Sequence, residues 1–213
     1  MDGDRVPPTV IKITPEEIVF TLDRMWQQLS MYSIQFTPTP EVASLAIVIA
    51  LWAVESNWGK EMFNFNWIGI PKIDGDQHDY TTRTVKRNIS GTVFSIRDTI
   101  RAYETIEEGA LDYLLWISTR DYSQTWPAIR DGDIQGFVSV LQTLGHFSTV
   151  NAKNRMYYLT KVAEKICFEH PTSPDFHAGS TPEEKQLQRH INRTKLLSLI
   201  SMELWTLMDD TSR

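Results

Sequence analysis

The chain has 213 residues, and its 27 acidic against 21 basic side chains leave a formal charge of -6. That balance supplies no basic stripe of the kind nucleic-acid binders use. Its length and composition fit one compact soluble domain with a tail, and the single Cys167 excludes both an internal disulfide and a CxxC-type zinc site.

The first residues, Met1 to Pro8, are acidic and Pro-rich, without the basic and apolar regions of a secretory signal. Residues 1–13 read as an extended lead-in. Thr14-Pro15-Glu16-Glu17 combines an N-cap, a first-turn proline and two acids, opening a helix through about Tyr32. Ile18, Leu22, Met25, Trp26 and Leu29 form its apolar stripe.

Thr39-Pro40-Glu41 repeats the signal, with Thr39 as the expected N-cap. From Val42 to Val54 nearly every residue is apolar on all sides, the mark of a helix covered by other elements. The run is shorter than the ~20 residues of a bilayer span, so it reads as a buried core helix and not as a membrane segment. Glu55 closes it and is the sole acid between Glu41 and Glu61. Low-dielectric surroundings disfavour an ionised carboxyl, which is the state a general acid requires. A structural role competes with that one, either as a surface cap of the helix end or as a partner of Lys60.

The segment that follows, Asn57-Trp58-Gly59-Lys60 and Phe63-Asn64-Phe65-Asn66-Trp67-Ile68-Gly69-Ile70, combines aromatic rings, amides and glycines. Rings stack on pyranose faces, amides bond hydroxyl and N-acetyl groups, and glycine permits close backbone approach. The stretch "ALWAVESNWGKEMFNFNWIGI" resembles the A-x-x-E-S-x-W-G … N-x-F-G-I signature of bacterial glucosaminidases, family 73 glycoside hydrolases on a lysozyme-like helical fold. The resemblance implies a mainly α domain with a buried central helix and a small β-hairpin. It also implies that Glu55 protonates a glycosidic oxygen in peptidoglycan, with Ser56, Trp58, Asn66 and Trp67 shaping the sugar site.

After Ile70 the chain turns polar. Asp74, Asp76, His78 and Asp79 lack the glycine placement and the following bidentate acid of a calcium loop, so the stretch reads as a solvated loop. Nothing in the sequence calls for a metal or a cofactor. Tyr80 to Lys86 and Thr92 to Arg97 flank Asn88-Ile89-Ser90-Gly91 and read as a hairpin. In the resembled family a second acid often sits on the first hairpin strand, and here that strand has none. Asp74, Asp76 and Asp79 are then the candidates for a second acid; otherwise the substrate's own N-acetyl or 6-hydroxyl group completes the reaction.

Ile100-Arg101-Ala102-Tyr103-Glu104-Thr105-Ile106-Glu107-Glu108-Gly109 is similar to the family's F-R-x-Y-x-S-x-E-E block. Thr105 caps a helix to about Thr119, and Tyr103 is either a cleft residue or a half-buried packing residue. A short helix lies within Tyr122 to Arg130, and Asp133 caps another from Ile134 to Leu144. Gly145-His146-Phe147-Ser148-Thr149 and a helix from about Lys153 to Glu169 are similar to the family's closing segment, particularly its Bax-like branch. Phe147 stands where that branch has Tyr, so Tyr158 is the aromatic carried over as a substrate contact. Cys167 falls in the apolar pattern of this helix.

The expected organisation is therefore a lead-in over 1–13, the glucosaminidase domain over 14–169, a linker over 170–180 and a helix over 181–213. That last helix, with Trp205 among several apolar residues, is expected to favour a virion or oligomer partner over simple docking. The resemblance implies a hydrolase that cuts the β-1,4 bond after N-acetylglucosamine in peptidoglycan strands. Its rivals are a lytic transglycosylase and a non-catalytic glycan-binding or virion structural protein retaining the fold. A phage product, assembled into the virion or released at lysis, would reconcile a wall substrate with the missing export signal.

Overall fold

In the computed structural model, residues 3–89, 92–120, 122–144, 152–169 and 181–210 are described. The elements are α1 (Pro15–Ser30), α2 (Val42–Glu55), a hairpin of β1 (Tyr80–Ile89) and β2 (Thr92–Arg101), α3 (Ile106–Thr119), α4 (Trp126–Arg130), α5 (Ile134–Thr143), α6 (Ala152–Glu169) and α7 (Pro182–Asp210). A 3-10 turn over Ser123–Thr125 leads into α4.

Local chemistry fixes several helix starts. Thr14 and Glu17 form a reciprocal capping box on α1, with the Glu17 N–H donating to the Thr14 hydroxyl at 3.2 Å and the Thr14 N–H to the Glu17 carboxylate at 2.8 Å. On α3 the Thr105 hydroxyl accepts from the Glu108 N–H at 3.2 Å, and on α5 Asp133 accepts from the Gly136 N–H at 2.9 Å. The start of α2 differs from the expectation. Thr39 is not its cap: the Thr39 carbonyl accepts the Thr37 hydroxyl at 3.1 Å, Pro40 is buried, and Glu41 stays extended at ψ 156°, so the helix begins at Val42 without a side-chain cap.

α2 is the axis of the core. Every residue from Ser44 to Ala53 is buried, and each large aliphatic among them contributes about 1.5–3 kcal/mol relative to exposure. The helix packs chiefly against α6, while α1 packs against α3 and α7. Among the described residues no helix is long and apolar enough to cross a membrane.

The hairpin pairs Tyr80 with Arg101 at its base and Ile89 with Thr92 at its tip. Both strands run further than the alternation suggests, so Asp98 lies within β2 directly opposite Arg83, and their side chains form an ion pair at 3.3 Å.

The helix expected to favour a partner docks on its own chain. Leu197, Ile200, Ser201 and Leu204 of α7 are buried, Trp205 Nε1 donates to Glu16 at 3.1 Å, and Arg193 Nε donates to Asp23 at 3.1 Å. Leu199, Met202 and Trp205 remain on its outer side. His146, Phe147, the 170–180 linker and the side chains of Tyr158 and Cys167 lie outside the described residues.

α3 crosses close beneath the segment after Glu55. A Cβ at Gly109 would stand 1.9 Å from the Phe65 carbonyl oxygen, a backbone atom that cannot rotate aside. Gly109→Ala is therefore expected to destabilise the protein by about 1–3 kcal/mol, as overpacking does, read as a lowered thermal midpoint with the cooperative transition retained.

Candidate active site

Glu55 is the last residue of α2 and is half-buried. A compact turn follows it. Asn57 and Trp58 both adopt left-handed backbone, with φ 50° and 56°, and Gly59 continues at φ 76°. Left-handed conformations at two successive non-glycine residues cost free energy that the surrounding contacts must offset. Here Ser56 provides part of the compensation: its hydroxyl donates to the Trp52 carbonyl at 2.7 Å and accepts from the Gly59 N–H at 2.9 Å. The Trp58 N–H reaches back to the Ala53 carbonyl at 2.8 Å. The chain thus reverses immediately behind the acid.

Three residues expected to face sugar are instead parts of this scaffold. Ser56 is 2% exposed and both its bonds are internal. Asn66 is 1% exposed; its amide nitrogen donates to the carbonyls of Ile70 at 2.9 Å and Arg101 at 3.0 Å, and its oxygen accepts from the Ile70 N–H at 2.7 Å. Trp67 is fully buried, stacked on Tyr113 at 6.0 Å and edge-on to Trp52 at 6.2 Å, with Nε1 donating to the Ile106 carbonyl at 3.3 Å. Their polar atoms are already satisfied inside the fold, so they are corrected from substrate contacts to supports. Trp58, half-buried against the core, keeps an accessible edge.

Tyr113 supplies the electrostatic neighbourhood of Glu55. Its hydroxyl donates to the Val48 carbonyl at 2.8 Å. Burial pushes its phenol well above the ordinary range, and electrostatic coupling to Tyr122 and Glu55 pushes the same way. Glu55, Tyr113 and Tyr122 thus form one electrostatically linked group. The two tyrosines escaped the sequence reading because each looks like a packing residue in its own apolar pattern.

Tyr103 belongs to a different group. It is 8% exposed, its hydroxyl donates to Asp112, and its ring meets His78 edge-on at 5.6 Å. Burial first, and then the charge and hydrogen bond of Asp112, hold its phenol far above the usual range. Arg101 completes the cluster, bonding Asp112 at 2.7 Å and Asp76 at 2.6 Å. Burial works against the guanidinium charge, but the two carboxylates outweigh it and raise Arg101 further. Asp112 was missed because an acid inside a helix reads as a solvated face until its tertiary partner is known.

His78, Asp79, Tyr103, Glu104, Leu111 and Asp112 border a cavity of about 580 Å3, and Glu55 is not among its lining residues. At about 100° per residue, Tyr113 lies on the opposite side of α3 from Leu111 and Leu115. The Leu111–Leu115 side of α3 therefore faces the cavity, and its Tyr113 side faces α2.

Of the three acids held in reserve, Asp76 is paired with Arg101 and Asp79 accepts the Asp4 N–H at 2.8 Å. Asp74 is exposed. Two of the three are thus committed to the fold.

A half-buried glutamic acid thus ends a helix that is buried from Ser44 to Ala53, with a tight reversal directly after it. Residues 41–170 match the model of the glucosaminidase family, described as mannosyl-glycoprotein endo-beta-N-acetylglucosaminidase. The chain belongs to this family, and its class is glycoside hydrolase.

Among solved structures, a peptidoglycan hydrolase mutant from Sphingomonas sp. A1 is similar at TM-score 0.50 and 14% identity, covering 73% of this chain and 99% of that one. The glycoside hydrolase domain of FlgJ from Salmonella typhimurium, in C-terminally truncated form, is similar at TM-score 0.47 and 17% identity, over 71% of this chain and 97% of that one. The catalytic domain of the autolysin Auto from Listeria monocytogenes is similar at TM-score 0.45 and 17% identity, over 73% and 90%. No curated protein matches the sequence.

The buried phenols make a pH prediction. The folded state keeps the Tyr103 and Tyr113 protons that the unfolded chain releases above about pH 10, so their contribution is complete below that pH and is lost as pH rises beyond it. Alkaline titration should show the tyrosinate absorbance of these two residues emerging only together with loss of the circular dichroism signal. Tyr103→Phe and Tyr113→Phe should each remove part of that late component.

Proposed function

We propose that the protein hydrolyses the β-1,4 bond after N-acetylglucosamine in peptidoglycan, with Glu55 as the general acid. The observation that carries this reading is the position of Glu55: one half-buried carboxyl at the end of a helix buried from Ser44 to Ala53, with the chain reversing directly behind it. Membership of the glucosaminidase family supports the glycan class. The Sphingomonas peptidoglycan hydrolase, whose fold is similar, supports a wall substrate.

In this mechanism Glu55 donates its proton to the glycosidic oxygen as the bond to the anomeric carbon breaks. Water then adds to that carbon and gives a proton back to the Glu55 carboxylate, leaving a new reducing end. The half-exposed Trp58 is the aromatic best suited to stack on a sugar ring beside the acid. Tyr158 remains a proposed contact on the strength of the family motif.

A transglycosylase is the second reading, and a specific observation favours it. Asp76 and Asp79 are committed to Arg101 and to the Asp4 backbone, so neither is held ready to activate water. Attack by the sugar's own 6-hydroxyl requires one acid–base residue and no second carboxylate.

Glu55→Gln keeps the shape and removes the proton. It is expected to lower clearing of purified cell walls at least about a hundredfold while the thermal unfolding profile stays intact; retained clearing would overturn the role of Glu55. Mass spectrometry of the products decides between the two reactions. A reducing N-acetylglucosamine end is expected, and a 1,6-anhydro end would establish the transglycosylase.

A further inference from the structure

The residues that precede α1 are bound to two segments far from them in the chain, and they fall outside the matched family residues 41–170. At the near end the Tyr80 N–H donates to the Asp4 carbonyl at 2.9 Å, the Val6 N–H to the Tyr80 carbonyl at 2.8 Å, and the Asp4 N–H to Asp79 Oδ1 at 2.8 Å. These bonds hold the base of the hairpin. Further along, the Asn64 N–H donates to the Thr9 carbonyl at 2.9 Å and the Ile11 N–H to the Met62 carbonyl at 2.9 Å. These hold the segment that follows Glu55. Pro7 and Pro8 lie between the two sets and preset an extended backbone, so the strap loses little freedom on binding.

Asn64 is the anchoring point. Its side-chain oxygen accepts the Thr9 N–H at 3.0 Å, its amide donates to the Pro7 carbonyl at 3.1 Å, and its own carbonyl accepts the Tyr103 N–H at 3.0 Å. Its backbone is left-handed at φ 49°, as is that of Phe65 at 54°. A left-handed pair without glycine persists only where neighbours over-determine it, and here the neighbours are the strap on one side and the β2–α3 connection on the other.

We infer that residues 4–11 act as a strap that fixes the segment after Glu55 against the hairpin base, with Asn64 as the positioning residue, and thereby set glycan affinity. This rests on the reading that these two segments border the glycan site. Glu55 itself is held by α2, which is buried chiefly against α6 and not by the strap's hydrogen bonds. Loosening the strap therefore moves the walls that orient the substrate and leaves the acid where it is.

Two variants release the strap by different routes. Asn64→Gly retains access to positive φ and deletes both side-chain bonds, whereas Thr9→Pro removes the N–H donor and spares Asn64. Asn64→Asp keeps the acceptor and tolerates left-handed backbone. Hydrolysis of soluble N-acetylglucosamine oligomers is measured for each, together with hydrogen exchange at the Asn64 and Tyr80 amides.

For both releasing variants KM is expected to rise about tenfold, as when binding shared by the ground and transition states is lost. The kcat should remain within a factor of about two, the two amides should exchange faster together, and Asn64→Asp should recover part of the KM. An active wild type with unchanged KM in both variants, or with kcat lost instead, overturns the strap. An inactive wild type overturns the glycosidase reading instead, and the exchange arm then judges the strap, which uncoupled exchange at the two amides would refute.

Discussion

The whole structure depends on the burial of α2 around its full circumference. A helix with apolar residues on all sides cannot be stable at a surface, so α6, α4, α1 and the Trp67–Tyr113 pair have to enclose it. Enclosure fixes the helix in position and rotation together. The consequence for chemistry is that the end of the helix becomes a rigid mount, and Glu55 is the one acid set on it.

A rigid mount is useful only if the chain departs without obstructing it. The reversal at Asn57 and Trp58 performs that task, and Ser56, Asn66 and Trp67 are buried supports of the reversal and of the loop after it. Ser56 binds the last turn of α2 to Gly59. Asn66 binds the next loop to Ile70 and to the end of β2. A buried amide or hydroxyl, fully hydrogen-bonded, specifies one turn geometry more sharply than an apolar residue could.

What could be read from the sequence divides along the same line between local and tertiary causes. The capping box of α1, the Thr105 and Asp133 caps, the enclosed character of α2 and the existence of the hairpin follow from neighbours within a few residues, and all were legible. So was Glu55 as the lone acid of its stretch. The true start of α2 was not, because the buried Pro40 draws the chain past a cap that is locally adequate. The roles of Ser56, Asn66 and Trp67 were misread for a related reason: amides and rings look the same in sequence whether they face a sugar or a carbonyl of their own chain. Asp76, the Arg101–Tyr103 stretch and Asp112 come from three separate places and become a cluster only once the fold is known. The docking of α7 was hidden likewise, since an apolar stripe does not state which surface it will cover.

That docking illustrates how a charge pair can fix register without adding much stability. Arg193 and Asp23 meet where both side chains are largely removed from water, at 16% and 7% exposure. The cost of desolvating such a pair offsets much of its attraction, so the free energy of docking α7 comes mainly from Leu197, Ile200 and Leu204. Sliding α7 by one turn would still bury aliphatic side chains against α1, but it would leave Asp23 and Arg193 buried without each other, which is strongly unfavourable. The ion pair therefore selects one alignment among several that the apolar residues would accept, and Glu16 with Trp205 marks the same alignment three turns further on.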